Sequence, residues 1–301
     1  MDVAITGASG LIGTALAASL RGTGDRVRPL VRGPSDDPDA VRWDPGAGTI
    51  DAEGLTGVDV VVHLAGAGIG DRRLTPARRQ VVLESRTDGT ALIARTLAAM
   101  DAPPRVLVSG SAVGFYGSRG DEVLTERSPA GDDFIADLVG AWEAAAQPAL
   151  DAGIRTVFLR TAPVLSGHGG ILPRMALPVR LYVGGRIGSG RQWMSWVSLE
   201  DVVGIVRLVI GRDDIRGPVN VVAPGPVTNA EMTAALGRAL HRPTLLPVPP
   251  VALRLALGSG RTDSLLLASQ RVTPTVLTEA GYAFVHPNVD DALAAAFGGE
   301  T

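Results

Sequence analysis

Short apolar runs alternate with longer segments of helical periodicity over roughly the first 160 residues. The runs lie at 3–5, 27–31, 58–68, 105–117 and in the second half of 142–160. Between them, residues 11–20 and 77–100 place apolar side chains at the spacing of one helix face. Continuous apolar runs are typical of strands that are buried on both faces of a parallel sheet. The alternation therefore predicts an α/β fold with a doubly wound parallel sheet.

The pattern becomes irregular after Thr161. Glycine and proline are frequent in stretches such as SGHGG (166–170) and PTLLPVPPV (243–251). One apolar run, GPVNVVAP (217–224), is long enough to return a strand to the main sheet. We expect a main domain over 1–161 and a smaller C-terminal lobe over 162–301 that closes over a bound ligand.

Composition excludes several classes of protein. The chain has 301 residues, a net charge of −3 and no cysteine. The charge does not favour nucleic-acid binding, and no apolar run is long enough to span a membrane. The lack of cysteine rules out disulfides and thiolate sites, and a cytoplasmic protein without a signal peptide is expected. The four histidines lack ligand spacing, so no metal site is predicted.

Three glycines at three-residue spacing follow the first apolar run and precede a helical segment. Glycine allows the main chain to approach a pyrophosphate at a helix N-terminus, whose dipole favours the anion. The alternative is a tight turn that serves the fold alone. The expected cofactor contacts in this loop are Thr6, Gly7, Ser9, Gly10, Leu11, Ile12 and Gly13.

The end of the next strand indicates which dinucleotide is bound. An NAD site usually has an acidic residue there, whereas this strand ends in Arg32 and the nearest acid is Asp36. An arginine would pair with a 2′-phosphate, so NADP(H) is favoured over NAD(H). The alternative is that Arg32 is only a solvated charge. Further contacts are expected at the carboxyl end of the 58–68 strand, which finishes in small residues, and from the following helix: Leu64, Ala65, Gly66 and Arg86.

The assembled motifs resemble an extended short-chain dehydrogenase/reductase, and more narrowly its atypical "epimerase family" branch with a distinctive C-terminal domain. The matching stretches are ITGASGLIG (5–13), VVVHLAGAGIG (60–70), ESRTDGT (84–90), SGSAVGFYG (109–117), DDFIADLVGAWE (132–143), GGRIGSGRQWMSWVSLEDVV (184–203), GPVNVVAPGPVT (217–228) and HRPTLLPVPP (241–250). The resemblance implies a Rossmann-type domain, NADP(H) as cofactor and hydride transfer at a carbon that bears a hydroxyl. It also suggests a homodimer.

The resemblance implies that the catalytic pair of most relatives is missing from this chain. Most members of the superfamily use a tyrosine that exchanges the proton with substrate and a lysine that lowers its pKa. Counting back from Glu143, these positions fall on Ile135 and Val139, and the chain contains no lysine at all. Ser111 matches the serine that orients the substrate oxygen. Tyr116 is a candidate replacement donor, although a packed aromatic beside the cofactor is the simpler interpretation.

A glycine-rich loop in the C-terminal lobe is a candidate substrate site. It offers Arg186, Arg191, Gln192 and Trp193, a set suited to an acidic or phosphorylated substrate. The alternative is a tight turn whose arginines pair with Glu200 and Asp201. Arg72, Arg73 and Arg86 are further candidate anion ligands.

Two functions are compatible with these features. The first is an NADP(H)-dependent oxidoreductase or epimerase that acts on a small polar or anionic substrate. The second is an NADP(H)-binding protein with little or no turnover that acts as a sensor or regulator. The intact glycine loop supports both, and the missing tyrosine–lysine pair favours the second. Neither nucleic-acid nor membrane partners are expected.

Overall fold

The fold is built on one large sheet in a computed structural model that describes residues 1–70, 73–258, 260 and 262–298. Its strands are β1 (Asp2–Thr6), β2 (Arg26–Val31), β3 (Val41–Asp44), β4 (Thr49–Ile50), β5 (Val60–His63), β6 (Val106–Ala112), β7 (Val123–Leu124), β8 (Arg155–Thr161), β9 (Val164–Leu165), β10 (Trp193–Met194), β11 (Val197–Ser198), β12 (Gly217–Val221), β13 (Val227–Thr228) and β14 (Arg271–Val272). Eight strands pair in the order β12-β8-β6-β5-β1-β2-β3-β4. All of these pairings are parallel except the β3–β4 hairpin. The predicted doubly wound parallel sheet is confirmed.

Ten α-helices accompany the strands in the described part of the chain. They are α1 (Leu11–Gly22), α2 (Pro76–Ala98), α3 (Phe134–Ala144), α4 (Gln147–Asp151), α5 (Leu172–Arg180), α6 (Leu199–Gly211), α7 (Asn229–Ala239), α8 (Pro250–Leu257), α9 (Thr275–Glu279) and α10 (Val289–Phe297). Side-chain caps begin several of them, including Thr75 at α2 and Asp133 at α3. Within the described residues, no helix combines the length and apolar character that crossing a bilayer requires.

The alternation of side chains along β1 divides the core into two layers. Val3 and Ile5 face one side of the sheet, where they pack with Leu16 of α1 and with α6. Ala4 faces the other side and packs in the layer that contains Ile93 of α2. Both faces are therefore covered by helices, which explains why the strands read as uninterrupted apolar runs.

Only part of the chain after residue 161 forms a separate lobe, because α6 and β12 belong to the main domain. Ile205 and Val206 of α6 are completely buried in the same core as β1, and β12 pairs with β8 at the end of the main sheet. The strand expected within 217–224 thus lies in the main sheet over Gly217–Val221. Helix α6 was not predicted, because its helical period is embedded in a stretch interpreted as irregular. The boundary at 161 does not divide the two cores.

The remaining C-terminal elements have a core of their own. Trp196, Met232 and Leu293 are buried there, between α5, α7 and α10. The buried carboxylate of Asp201 joins this region to α6 by accepting hydrogen bonds from Ser198 Oγ at 2.7 Å and from the Val285 backbone N–H at 2.8 Å. A buried charge is tolerated when its oxygens are satisfied in this way.

The β3–β4 hairpin was not predicted from the sequence. In β3, Val41 and Trp43 are buried while Arg42 and Asp44 are exposed, which is the two-residue period of a strand with one covered face. Only Val41 and Trp43 carry that period, which is too few apolar residues to indicate a strand from the sequence alone. The edge of the Trp43 ring meets the ring of His63, with centroids 5.9 Å apart.

Candidate nucleotide site and adjoining cavity

The carboxyl ends of β1 and β5 form the crevice in which a doubly wound sheet binds its ligand. These strands are neighbours, and the helices that follow them, α1 and α2, cover opposite faces of the sheet. Gly7 has φ +68°, and a Cβ atom there would lie 3.0 Å from the backbone nitrogen of Ala65. Only glycine therefore allows the two strand ends to approach this closely.

The other two glycines of the loop have separate roles. Gly10 is the N-cap residue of α1, and its N–H donates to Gly7 O at 2.9 Å. A Cβ atom on Gly13 would lie 2.2 Å from Gly7 O, so this position holds the first turn of α1 against the loop. The three-residue spacing is therefore required by close packing as well as by ligand approach.

The N-terminus of α1 is suited to a pyrophosphate. Among the described residues no side chain caps it, and its first turn has no acidic residue, so the first N–H groups of the helix remain available. Ser9 and Gly10 are exposed there, and Leu11 and Ile12 are half-buried. A Cβ atom on Gly170 would lie 3.1 Å from Leu11 Cδ2, so the SGHGG segment packs beside this end of the helix. The sequence pattern indicated only an irregular stretch for that segment.

Thr6 supports the strand ends from within the core. It is completely buried, and its Oγ1 accepts hydrogen bonds from the backbone N–H groups of Leu64 and Ala65 at 3.0 and 3.1 Å. Its own proton is then left for His63 Nδ1 at 2.7 Å, which fixes His63 as the neutral tautomer protonated on Nε2. Thr6 thus holds the crevice together instead of facing a ligand.

Arg32 lies exposed just beyond the carboxyl end of β2. Two of the nearby acids are engaged elsewhere, since Asp37 pairs with Arg21 and Asp39 pairs with Arg26, whereas Asp36 is exposed and forms no ion pair within the described residues. In the described part of the chain no carboxylate pairs with Arg32. Its guanidinium is available to an anion at the place where a dinucleotide's adenosine ribose lies in this fold.

A cavity of about 220 Å³ lies next to the crevice. Its walls include Ile69, Arg86, Ala112, Asp133, Ile135, Leu138, Val139, Trp142, Thr161, Trp193 and Gln270. Ile135 and Val139, where most of the superfamily has tyrosine and lysine, are one helical turn apart and both line this cavity. Both positions that the sequence analysis counted from Glu143 therefore face this cavity, and both carry apolar side chains.

Arg86 contributes a cation to this cavity. Its NH1 donates to Ala67 O at 2.8 Å and to Val82 O at 3.2 Å, and its guanidinium lies 4.9 Å from the Trp142 ring centroid. Burial, with a smaller contribution from the like charge of Arg78, lowers the pKa of Arg86 to about 10. The group remains charged at neutral pH.

Ser111 and Glu143 belong to a buried hydrogen-bonded network. Ser111 Oγ donates to Glu143 Oε1 at 2.6 Å, and Arg160 donates to both carboxylate oxygens of Glu143 at 2.8 Å. Trp142, adjacent to Glu143, donates to Thr90 Oγ1 at 3.0 Å. Because its proton is directed to Glu143, Ser111 can act toward a ligand only as an acceptor until that bond is broken.

Tyr116 does not reach the cavity, contrary to its assignment as a replacement proton donor. Its side chain is completely buried, its hydroxyl donates to Asn220 Oδ1 at 2.7 Å, and Arg160 NH1 donates to it at 3.1 Å. Burial raises the pKa of the Tyr116 phenol, which opposes ionisation. The structure agrees with the alternative interpretation, in which Tyr116 is a packed aromatic residue. The turn after β6 directs its ring into the core.

Of the four residues predicted in the glycine-rich loop of the C-terminal lobe, only Trp193 lines the cavity, beside its neighbours Met194 and Ser195. The Nε1 of Trp193 donates to Asp121 Oδ1 at 2.8 Å. Arg186 donates to the carbonyls of Gly188 and Ser189 within its own loop, so neither Glu200 nor Asp201 pairs with it.

The other predicted residues of that loop point elsewhere. Gln192 donates to Ile187 O and Leu266 O, and Arg191 is exposed. Arg73, one of the candidate anion ligands, is exposed and donates to Leu255 O. Arg72 lies outside the described residues.

The packing of Gly13 gives a test of the loop. Gly13→Ala would force its Cβ into Gly7 O and should destabilise the protein by more than about 3 kcal/mol while abolishing nucleotide binding. Gly22→Ala in the same helix is the control, because apart from its chain neighbours and the backbone of its own helix no described atom lies within 4 Å of the place that its Cβ would occupy. That change should stabilise the protein by about 0.5 kcal/mol. Equal stability of the two variants in urea denaturation would contradict the close packing.

The buried imidazole of His63 predicts a dependence of stability on pH. Burial lowers the pKa of His63 from 6.5 to about 4, so between these values the unfolded chain binds more protons than the folded one. The free energy of unfolding should therefore fall as the pH is lowered through this window, by about 2 kcal/mol from pH 7 to pH 5.

The measurement is urea denaturation at both pH values. In His63→Asn, which keeps an acceptor for Thr6, the free energy of unfolding should not show this fall of about 2 kcal/mol between pH 7 and pH 5. His241→Asn, at an exposed position, should still show it. An identical loss in wild type and His63→Asn would show that another group carries the dependence.

Comparison with known proteins agrees with this geometry. Residues 3–222 match the NAD dependent epimerase/dehydratase family, and residues 248–296 match a domain of unknown function, DUF1731. The chain is 44% identical over 291 residues to the epimerase family protein MT2273 of Mycobacterium tuberculosis (strain CDC 1551 / Oshkosh), covering 97% of this chain and 96% of that protein.

Two solved structures extend the comparison. Human epimerase family protein SDR39U1 (isoform 2) with NADPH has a TM-score of 0.89 and 34% identity, covering 98% of this chain and 99% of that chain. The nucleoside-diphosphate sugar epimerase from Corynebacterium glutamicum has a TM-score of 0.83 and 38% identity, covering 99% of this chain but only 58% of that longer chain. The glycine loop, the strand order and these matches together show that the chain belongs to the NAD dependent epimerase/dehydratase family, as an extended short-chain dehydrogenase/reductase with a DUF1731 domain at its C-terminal end.

Proposed function

We propose that the protein binds NADP(H) and catalyses an oxidoreductase or epimerase-type reaction on a small polar substrate. When bound, the nicotinamide would supply or accept the hydride. The chain's own part would be to hold the dinucleotide at the α1 N-terminus and to enclose the reacting carbon in the cavity beside it. The cavity's apolar walls, including Ile135 and Val139, would exclude water from the hydride acceptor.

The guanidinium of Arg32, unpaired within the described chain, is the observation that carries the choice of NADP(H). A 2′-phosphate brings about two negative charges to the end of β2, and an arginine can bind it through two donors. Two acids of the following loop, Asp37 and Asp39, are neutralised by their own arginines, so of the three loop acids only the exposed Asp36 would oppose that phosphate. The NADPH in the human SDR39U1 structure is consistent with this proposal.

Proton transfer in such a reaction would differ from that of most relatives. The positions of the usual tyrosine and lysine are apolar, and the hydroxyls of Ser111 and Tyr116 are engaged in the buried network. The charged groups on the cavity wall are Arg86 and Asp133. We infer that Arg86 stabilises negative charge that develops on a substrate oxygen, while the proton that this oxygen takes up or releases is exchanged with solvent before or after the hydride transfer.

An NADP(H)-binding sensor with little turnover is the second candidate. The same engagement of Ser111 and Tyr116 favours it, because a protein that only binds the cofactor needs no available acid or base. A sensor should change its oligomeric state or partner binding between NADP+ and NADPH, and sedimentation velocity with each form measures this. Indistinguishable behaviour with the two forms would count against the sensor.

The choice of cofactor is tested with Arg32→Ala. Losing a charge-assisted contact should weaken NADPH binding about tenfold to a hundredfold and leave NADH binding nearly unchanged, as followed by quenching of tryptophan fluorescence. Arg127→Ala, which removes an exposed arginine elsewhere, should affect neither nucleotide. If Arg32→Ala weakens NADPH and NADH equally, Arg32 does not contact the 2′-phosphate.

A further inference from the structure

The exposed apolar side chains of the protein are concentrated at one place in the C-terminal lobe. Among the described residues, thirteen large apolar side chains are exposed, and eight of these lie in the two segments 177–183 and 245–255. We call these eight the apolar patch: Leu177, Leu181, Tyr182, Val183, Leu245, Leu246, Val251 and Leu255.

Main-chain contacts place the two segments side by side. Gly185 forms an isolated antiparallel bridge with Leu245, and Gly188 N–H donates to Val248 O at 3.0 Å. A Cβ atom on Gly188 would lie 3.1 Å from Cγ of Pro250, where α8 begins. The end of α5, the loop that follows it and α8 are therefore neighbours, and the eight side chains belong to one region of the surface. Exposed apolar patches of this kind mark sites that bind a partner or a membrane.

The side chains of the patch project outward. On α8, Val251 and Leu255 are one turn apart and share a face, and no described residue of this helix is buried. Leu245, in the loop before α8, is 87% exposed, which is the largest exposed fraction among these side chains. A folded partner must offer a matching hollow for each projecting side chain, whereas the acyl chains of a bilayer adapt to them.

The chain around the patch carries arginines but no acids. Residues 172–191 and 232–258 contain seven arginines and no aspartate or glutamate. Two of the seven pair with acids from other parts of the chain. Arg242 forms no ion pair within the described chain, and its guanidinium lies 5.1 Å from the Tyr182 ring centroid. The excess of positive charge complements an anionic surface.

This charge also argues against a second copy of the chain as the occupant. In a two-fold interface the same patch lies on both subunits, so the same arginines would face each other. Like charges brought together across an interface oppose association. An anionic lipid surface has no such conflict.

The loop that carries Leu245 and Leu246 has few backbone donors to satisfy. Four of the eight residues 243–250 are prolines, which have no N–H group. The Val248 N–H donates to Arg186 O at 2.8 Å. Because each unpaired N–H that leaves water costs free energy, a loop with few of them enters the edge of a bilayer at a small cost.

We propose that the apolar patch binds the surface of an anionic lipid bilayer. Leu245 and Leu246 would enter the boundary between headgroups and acyl chains, with Tyr182 and Arg242 at the level of the lipid phosphates. The expectation of no membrane partner depended on the lack of a spanning segment, and binding at the surface needs no such segment. The proposal is independent of the reaction, because none of the eight side chains lines the cavity.

The test is co-sedimentation of the full chain with sucrose-loaded vesicles. Wild type should bind vesicles of equimolar phosphatidylcholine and phosphatidylglycerol, and should bind phosphatidylcholine alone about tenfold or more weakly. The double variant Leu245→Gln/Leu246→Gln should weaken binding to the mixed vesicles about tenfold or more, and Arg242→Gln about fivefold. Leu150→Gln and Arg127→Gln are the matched controls at exposed positions outside the patch, and both should bind as wild type does.

Thermal melts show that each variant folds, and Leu255→Gln on α8 provides a second apolar substitution with the same expected direction. Absence of binding to the mixed vesicles by wild type would overturn the proposal. Unchanged binding by both leucine variants would also overturn it, since adsorption would then be electrostatic alone. Equal binding to neutral and anionic vesicles would refute the role of Arg242. A dimer in sedimentation velocity that the double variant abolishes, without vesicle binding by wild type, would assign the patch to a second copy instead.

Discussion

The close approach of main chain at the β1–α1 turn is the constraint on which the rest of the site depends. Gly7 has a positive φ and lies against the end of β5, where a Cβ atom would be crowded, and Gly13 lies against Gly7 with no room for a Cβ atom. This contact fixes where α1 begins and how its axis crosses the sheet. Since α1 and α6 share one face of the sheet, the same contact determines where residues far along the chain can pack. The nucleotide crevice is a consequence of this packing.

The features that could be predicted from the sequence are those that depend on local pattern. Buried parallel strands are apolar along their whole length, and the glycine loop has a fixed spacing for steric reasons, so both were recognised. Ile135 and Val139 could be assigned to one side of a helix by counting back from Glu143, because residues four apart on a helix lie on the same face.

The features that could not be predicted depend on which way a side chain points after a turn. Tyr116 follows β6 by only a few residues, yet a short 3₁₀ turn at Val113–Tyr116 directs its ring into the core. Thr6 stands beside the glycine loop in the sequence, but the alternation of a strand turns its hydroxyl toward His63. Thr6 and Tyr116 are therefore both close to the site along the chain, but both side chains face the interior of the protein.

The absence of lysine has a physical consequence for the cavity. Burial shifts a lysine toward its neutral form, whereas an arginine keeps its charge because its pKa begins so high. A buried arginine therefore cannot serve as a tunable acid or base, but it is a permanent electrostatic group. Arg160 uses that property within the fold, where it holds Glu143 and supports Tyr116. Arg86 has the same property without a carboxylate among the described residues, and its desolvated charge is compensated there by carbonyls and an indole face. Under the proposed function, a cavity built in this way would favour ligands that bring negative charge and transition states in which negative charge grows next to Arg86.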